Sequence, residues 1–324
     1  MSAPLDQPAK STDQRVKMAG WLELFEQRGG IVHYQGVTTY DLDELAAMRR
    51  YDLVVVAAGK GDVVGVFDRD PARSPYTSPQ RGLAFAYVHG LAPDPTRSAP
   101  GVGFNAVPGL GELFVIPALT TSGPCDILFW EVVPGGPLDV WPEGQVRMDP
   151  GEHLKRIIEF AAQYTPWVAD RATAVELTDA KATLHGRYTP TVRKPVAQLP
   201  SGGIVLGMAD VVVANDPITG QGSNTAAKCA DAYLNAILAR GDQPFDRAWM
   251  EQAFEDFWAT TGGPVTDWTN AMLQPLPPHV QQILGTAAQV PAVARRFANG
   301  FADPSDLQNW FMTPDKAEAY LASL

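Results

Sequence analysis

The stretch Gly207–Asn224, GMADVVVANDPITGQGSN, carries the residues best suited to chemistry. A strand runs into a turn containing Asp210, then Asp216–Pro217, then Gly220-x-Gly222, and a helix starts. The two glycines remove side chains just before that helix. Backbone N–H groups and the positive end of its dipole are then offered to an electron-rich ligand. Asp210, at the strand end, is placed to accept hydrogen bonds from sugar hydroxyls, and Asn224 could cap the helix. A lone G-x-G is better read as a tight strand-to-helix turn. With Asp210 and Asp216–Pro217 at this spacing, a ligand role is favoured.

Other reactive side chains form no constellation, so no catalytic residue and no metal ligand is assigned. His33, His89, His153, His185 and His279 are scattered with no i, i+4 pair, which favours surface or satisfied-core roles. Cys125 and Cys229 lack metal-ligand or redox spacing. Ser201 precedes two glycines but has no G-x-S-x-G elbow. Phe85, Phe114, Phe129 and Trp130 lie on strand-like runs and could line an apolar pocket for an aromatic molecule. Alternation sends about half of such residues into a core instead. Trp258, Trp268 and Trp310 are expected to pack helices together.

The elements that must position these residues come in blocks. Residues 13–28 predict a helix with Val16, Ala19, Leu22 and Phe25 on a buried face, stopped by Gly29–Gly30. Ile31–Tyr34 reads as a short strand and Asp41–Arg49 as a short helix. Tyr51–Gly59, YDLVVVAAG, reads as a strand covered on both faces. The runs Arg81–Leu91, Gly111–Leu119 and Cys125–Val133, parted by Gly/Pro turns, predict an antiparallel meander. Asp149 and Pro150 open a helix with Leu154, Ile157, Ile158 and Ala161 on its apolar face. Gly203–Val211 returns to a buried strand, a helix follows over Thr225–Ala239, and the chain beyond Phe245 is mostly helical.

These motifs together resemble the FAD-dependent aromatic hydroxylase superfamily, and most closely its styrene and indole monooxygenase branch. Gly207–Asn224 is similar to the second flavin motif, a GD element followed by P-x-x-G-x-G-x-N. Asp13–Gly30, Tyr51–Lys60, Ser78–Arg81 and Asp267–Pro278 (DWTNAMLQPLPP) extend the similarity along nearly the whole chain. The resemblance implies that Asp210 contacts the ribityl or pyrophosphate region of FAD. Pro217, Gly220, Gly222 and Asn224 would lie along the isoalloxazine, and Ala58 and Gly59 on the adenosine side. Arg15 matches an arginine at the cofactor, with a solvated surface arginine as the equal alternative. Implied too are reduced FAD from a separate NADH-dependent flavin reductase, a C4a-hydroperoxide, and oxygen transfer to a small aromatic alkene or indole.

The fold class so expected is α/β: a FAD-binding domain of glutathione-reductase or aromatic-hydroxylase type over residues 1–66 and 196–244. A mainly antiparallel substrate domain is inserted at 67–195, and a helical region spans 245–324. Family members open with a strand, a G-x-G-x-x-G turn and a helix; no such pattern lies near this N-terminus, so the FAD-binding domain is expected to be N-terminally truncated. A misplaced start, a truncated gene and a shortened protein with another role stay open, the last as a non-catalytic module binding small aromatics.

Among 324 residues, 45% are hydrophobic and 19% charged, as in ordinary globular proteins. A net charge of −11 argues against a nucleic-acid partner. No run approaches the roughly 20 apolar residues of a membrane span. The polar N-terminus lacks a signal-peptide core, so a cytoplasmic location is the expectation. A homodimer stays open.

Overall fold

The computed structural model of the chain describes residues 1–48, 50–142 and 147–324. Its elements run α1 (Gln14–Gln27), α2 (Thr39–Ala47), β1 (Val55–Val56) and α3 (Asp62–Gly65). Next come β2 (Gly82–His89), β3 (Gly103–Val107), β4 (Gly111–Thr120), β5 (Gly123–Val132), α4 (Pro150–Tyr164), α5 (Pro166–Ala169), β6 (Glu176–Leu177) and β7 (Thr183–Gly186). Then follow β8 (Thr191–Val192), β9 (Val196–Gln198), β10 (Ile204–Gly207), β11 (Val213–Ala214) and α6 (Gly222–Arg240). The C-terminal part holds α7 (Arg247–Phe257), α8 (Gly263–Met272), α9 (Pro278–Ala287), α10 (Pro291–Asn299), α11 (Pro304–Trp310) and α12 (Pro314–Ala322). The chain divides into two compact units: a sheet unit, Ala9–Tyr34 with Ser78–Tyr188, and a mixed unit formed by Met1–Pro8, Gln35–Thr77 and Thr189–Leu324. The class is α/β with an antiparallel sheet and a helical C-terminal part, as expected.

In the sheet unit the strands run β3-β4-β5-β2-β6, with β7 also on β2, all pairs antiparallel. Period-2 alternation sends Ala84, Ala86, Val88, Leu113, Val115, Leu128 and Trp130 to one fully packed face. That face meets Leu154, Ile157 and Ala161 of α4, spaced i, i+3, i+7. Each large side chain so buried contributes roughly 2 kcal/mol. Trp130 also donates its Nε1–H to the carbonyl of Ile157, 3.2 Å away. The helix starts as expected: Asp149 accepts from the N–H groups of Gly151 and Glu152, and Pro150 occupies its first turn.

Helix α1 forms where expected and ends at Gly29, whose φ of +89° suits glycine. Its expected buried face is a correction. No residue of α1 is buried: on the expected face Ala19 and Phe25 are exposed and Val16 and Leu22 half-buried, while Met18, Trp21 and Leu24 are exposed as well. The segment joins the sheet through its start, where Leu119 pairs with Ser11 and Asp13 by backbone hydrogen bonds of 2.9 and 2.8 Å. Ile31–Tyr34 is not a strand; Ile31 and Tyr34 are 78% and 79% exposed, with no strand to pair against.

In the mixed unit β1 runs parallel to β10, which pairs antiparallel with β9. The strand expected over Tyr51–Gly59 is shorter, limited to Val55–Val56, and lies at the edge of this sheet. Val56 is buried and Val55 exposed, so one face is covered rather than two. The helix read at Asp41–Arg49 is α2, opened by a capping box between Thr38 and Asp41; Arg49 lies outside the described residues. The strand read over Gly203–Val211 ends at Gly207 and passes into a 3-10 turn, Ala209–Val211. The C-terminal helices close over Trp268, Ile283, Val293, Leu307, Trp310 and Phe311. Among the described residues no helix is long and apolar enough to cross a membrane.

Candidate functional site

Strands β1 and β10 are parallel neighbours, so their C-terminal ends emerge side by side. That register brings Gly59 to Asp210: a methyl group built on Gly59 would stand 3.8 Å from Asp210 Oδ2. Ala58 packs on the adjoining core. Gly207 ends β10 where no side chain fits, since a Cβ there would come within 2.8 Å of Val211 and Val212. Its carbonyl accepts from the Tyr233 hydroxyl of α6 at 3.1 Å.

Asp210 follows Ala209, which holds a φ of +56° although it has a Cβ. Left-handed backbone at alanine costs about 1–2 kcal/mol, and such strain clusters at functional sites. Nothing in the sequence marks it. Asp210 is an exposed residue, yet the surrounding protein raises its pKa, with desolvation as the cause. Among the described residues no cation or hydrogen-bond donor stabilises its charge.

Beyond Asp210 the backbone is tightly specified. Asp216 accepts from the N–H of Ile218 at 3.2 Å and caps a 3-10 turn over Pro217–Thr219. Gly220 ends that turn at φ +63°, donating its N–H to the Pro217 carbonyl at 2.6 Å. Helix α6 starts at Gly222, earlier than expected, with Gln221 at the cap position and no side chain capping it. Asn224 is therefore not the cap. It lies within the first turn, and its Nδ2 donates to Gln221 Oε1 at 3.4 Å. The Gln221 amide is drawn away to the carbonyls of Phe301 and Thr219, at 3.0 and 3.3 Å. The leading N–H groups of α6, beside exposed Gly222 and Ser223, are left to an external acceptor.

Sequence reasoning missed what holds this turn. Thr219 and Thr269 share a buried hydroxyl–hydroxyl hydrogen bond of 2.7 Å, and Thr266 donates to Asn215 at 3.2 Å. Thr266 and Thr269 belong to α8, so that helix buttresses the turn. Paired hydroxyls on one helix face were the available signal.

Arg15 belongs to the sheet unit and is occupied by carboxylates. It reaches Asp13 Oδ2 at 2.7 Å and Asp179 Oδ2 at 3.0 Å. Hydrogen bonding to Arg15 holds Asp179 down at about 2 and also lowers Asp13. The pairs tie the start of α1 to the turn at residue 179.

The sheet face opposite α4 carries a continuous aromatic row across four strands. Phe104 meets Phe114 at 5.1 Å, Phe114 stacks on Phe129 at 5.8 Å, and Phe129 meets Phe85 edge-on at 5.9 Å. Tyr87 extends it, 5.5 Å from Phe85. Of the four aromatics read in the sequence, Trp130 therefore joins the core while Phe85, Phe114 and Phe129 share the other face. On that same face Arg81 grips Glu112 through two hydrogen bonds of 2.8 and 2.9 Å. Among the described residues no group of three or more His, Cys, Asp or Glu side chains could hold a metal ion.

Residues 59–171 match the family described as "Styrene monooxygenase A putative substrate binding domain". The chain is 31% identical over 320 residues to styrene monooxygenase StyA of Pseudomonas fluorescens, covering 96% of this chain and 75% of that one. It is 30% identical, with the same coverage, to StyA of a Pseudomonas species. In fold it is similar to p-nitrophenol 4-monooxygenase PnpA of Pseudomonas putida DLL-E4, with a TM-score of 0.51 at 13% identity. That likeness covers 78% of this chain and 59% of PnpA.

Proposed function

The chain belongs to the styrene monooxygenase family, and from that premise we propose that it is the oxygenase component of a flavin-dependent monooxygenase. FAD is the proposed cofactor, an aromatic alkene or indole-type molecule the substrate, and a separate NADH-dependent flavin reductase the electron source. The observation that carries this reading is Asp210: a carboxylate without a donor among the described residues, beside Gly59 and the turn that leads to an uncapped helix.

The residues present fit a flavin nucleotide. Ribityl hydroxyls are donors, and Asp210 is an acceptor that serves no other donor among the described residues. Gly220 and Gly222 place no side chain in the way; a Cβ on either would meet nothing within 4 Å. Pro217, Gly220, Gly222 and Asn224 would lie along the ring, and Ala58 and Gly59 on the adenosine side. The positive end of α6 favours electron density drawn toward it. When bound, reduced flavin supplies the electrons that activate O2. The protein then has to orient the substrate and keep water out, without an acid–base triad. The row Phe104–Phe114–Phe129–Phe85–Tyr87 offers a flat apolar surface suited to an aromatic ring. Arg15, which the family resemblance matches to a cofactor arginine, could take a phosphate only by displacing Asp13 or Asp179.

Titration with oxidised and reduced FAD tests the reading. Asp210→Asn should weaken binding about tenfold or more, as expected for a lost hydrogen bond to a charged group. Absence of binding by both redox forms to the wild-type protein would sink it. A second reading, a module that binds small aromatics without flavin, is favoured by the aromatic row lying wholly within the sheet unit. It expects tryptophan quenching by styrene or indole with no flavin affinity.

A further inference from the structure

Arg69 and Arg193 face each other across an antiparallel backbone bridge in the mixed unit. Residues directly opposite in such a pair send their side chains to the same face. The bridge is well fixed: Asp70 N–H donates to the Val192 carbonyl at 2.9 Å, and Lys194 N–H to the Asp68 carbonyl at 2.7 Å. The Ser74 hydroxyl donates to the Val192 carbonyl at 2.9 Å and accepts from its N–H at 2.8 Å.

Among the described residues each guanidinium is anchored by main-chain carbonyls and not by a carboxylate. Arg193 Nη1 donates to the carbonyls of Asp210 and Val211, at 3.4 and 3.2 Å. Arg69 Nη2 donates to the Ser74 carbonyl at 2.7 Å and to that of Tyr76. Of the two acids flanking Arg69, Asp70 is already engaged, pairing with Lys194 at 3.2 Å and with Arg73 at 3.9 Å, and among the described residues Asp68 forms no ion pair with either arginine. Burial and then the charge of Arg69 push the Arg193 pKa down, with no carboxylate opposing them. Like charges directly opposite on paired strands destabilise them. Partial burial sharpens the repulsion by lowering the effective dielectric.

A group with several anionic oxygens would turn that repulsion into two charge-assisted contacts, which is the geometry arginine forks favour. We propose that Arg69 and Arg193 form an anion site that takes a phosphoryl group. Arg193 holds the Asp210–Val211 turn, so the phosphoryl source is either a flavin nucleotide, which rests on the flavin reading above, or free phosphate.

The test uses the full chain with Arg193→Gln and Arg69→Gln, each retaining a donor for the main-chain carbonyls. Thermal unfolding is followed with inorganic phosphate against chloride at constant ionic strength, and affinities are measured for riboflavin, FMN and FAD. Phosphate should raise the wild-type Tm more than chloride does, and both variants should lose that difference. A flavin source further expects FMN and FAD to bind the variants at least tenfold more weakly, with riboflavin unchanged. Lost phosphate stabilisation with unchanged flavin affinities assigns free phosphate as the ligand. A wild-type protein indifferent to phosphate that binds FMN no better than riboflavin overturns the site, as do folded variants that keep both responses. If neither variant folds, the wild-type phosphate shift and the FMN-to-riboflavin ratio decide. Failure to bind any flavin, with phosphate stabilisation intact, removes the flavin reading and leaves the anion site standing.

Discussion

His153 lies between Trp141, whose Nε1–H donates to its Nδ1 at 3.1 Å, and the ring of His185, 5.8 Å away. Burial first, and His185 second, hold its pKa down at about 4. An unfolded histidine titrates near 6.5. Above that pH both states are neutral and the stability is fully present. As pH falls from about 6.5 to about 4 the unfolded chain takes up a proton that the folded chain refuses, a loss of ~3 kcal/mol. Tm should therefore drop through that window and the contribution level off below it; His153→Gln, which keeps an acceptor for Trp141, should flatten the profile. Asp179 works in a lower window. Held near 2 by Arg15, it stabilises above the unfolded carboxylate value and loses that effect as pH falls toward 2. At Gly220, with φ +63°, an alanine should cost about 1–2 kcal/mol in urea unfolding and weaken flavin binding with it. An unchanged midpoint would contradict the tight turn. The glycine turn at Gly220 and the Asp216 cap were legible in sequence because those residue types report backbone demands. Strain at Ala209 was not, because alanine carries no mark of a positive φ.

Elements became legible where their partners lie within the same stretch of chain. The period-2 runs of β2, β4 and β5 and the i, i+3, i+7 stripe of α4 cover one another, and both were read correctly. Alternation told that two faces exist, but not which one α4 would take. Helix α1 shows the opposite case. Its apolar spacing predicts burial, yet a stripe is buried only where another surface meets it: Ala19 and Phe25 stay exposed and Val16 and Leu22 are only half-buried. Ile31–Tyr34 and Tyr51–Gly59 fall short for a similar reason, since a strand needs neighbours to complete its ladder. The start of α6 was misjudged because Asn224 is a good cap by type, whereas Gln221 takes the position. The two sheet faces give a paired prediction. Trp130→Ala should cost about 3–5 kcal/mol, as for large truncations in a packed core. Phe129→Ala, on the opposite face, should cost less and chiefly weaken binding of styrene, read by tryptophan quenching. Equal stability losses with unchanged styrene binding would contradict the assignment of the two faces.

For the molecule as a whole, two compact units divide the proposed work: the mixed unit holds Asp210 and the α6 turn, and the sheet unit the aromatic row. The net charge of −11 fits a protein whose ligands are small molecules rather than nucleic acid. Family and fold class were legible because the motifs are spread along nearly the whole chain. The division into units was less so, since Ala9–Tyr34 joins the sheet through Leu119, a residue far away in sequence. The most direct measurement supplies the purified protein with reduced FAD in aerated buffer containing styrene, and analyses the products by chromatography. Styrene epoxide that depends on the protein and falls with Asp210→Asn is the expected result. No epoxide, together with no binding of reduced or oxidised FAD, would contradict the flavin monooxygenase assignment for this chain.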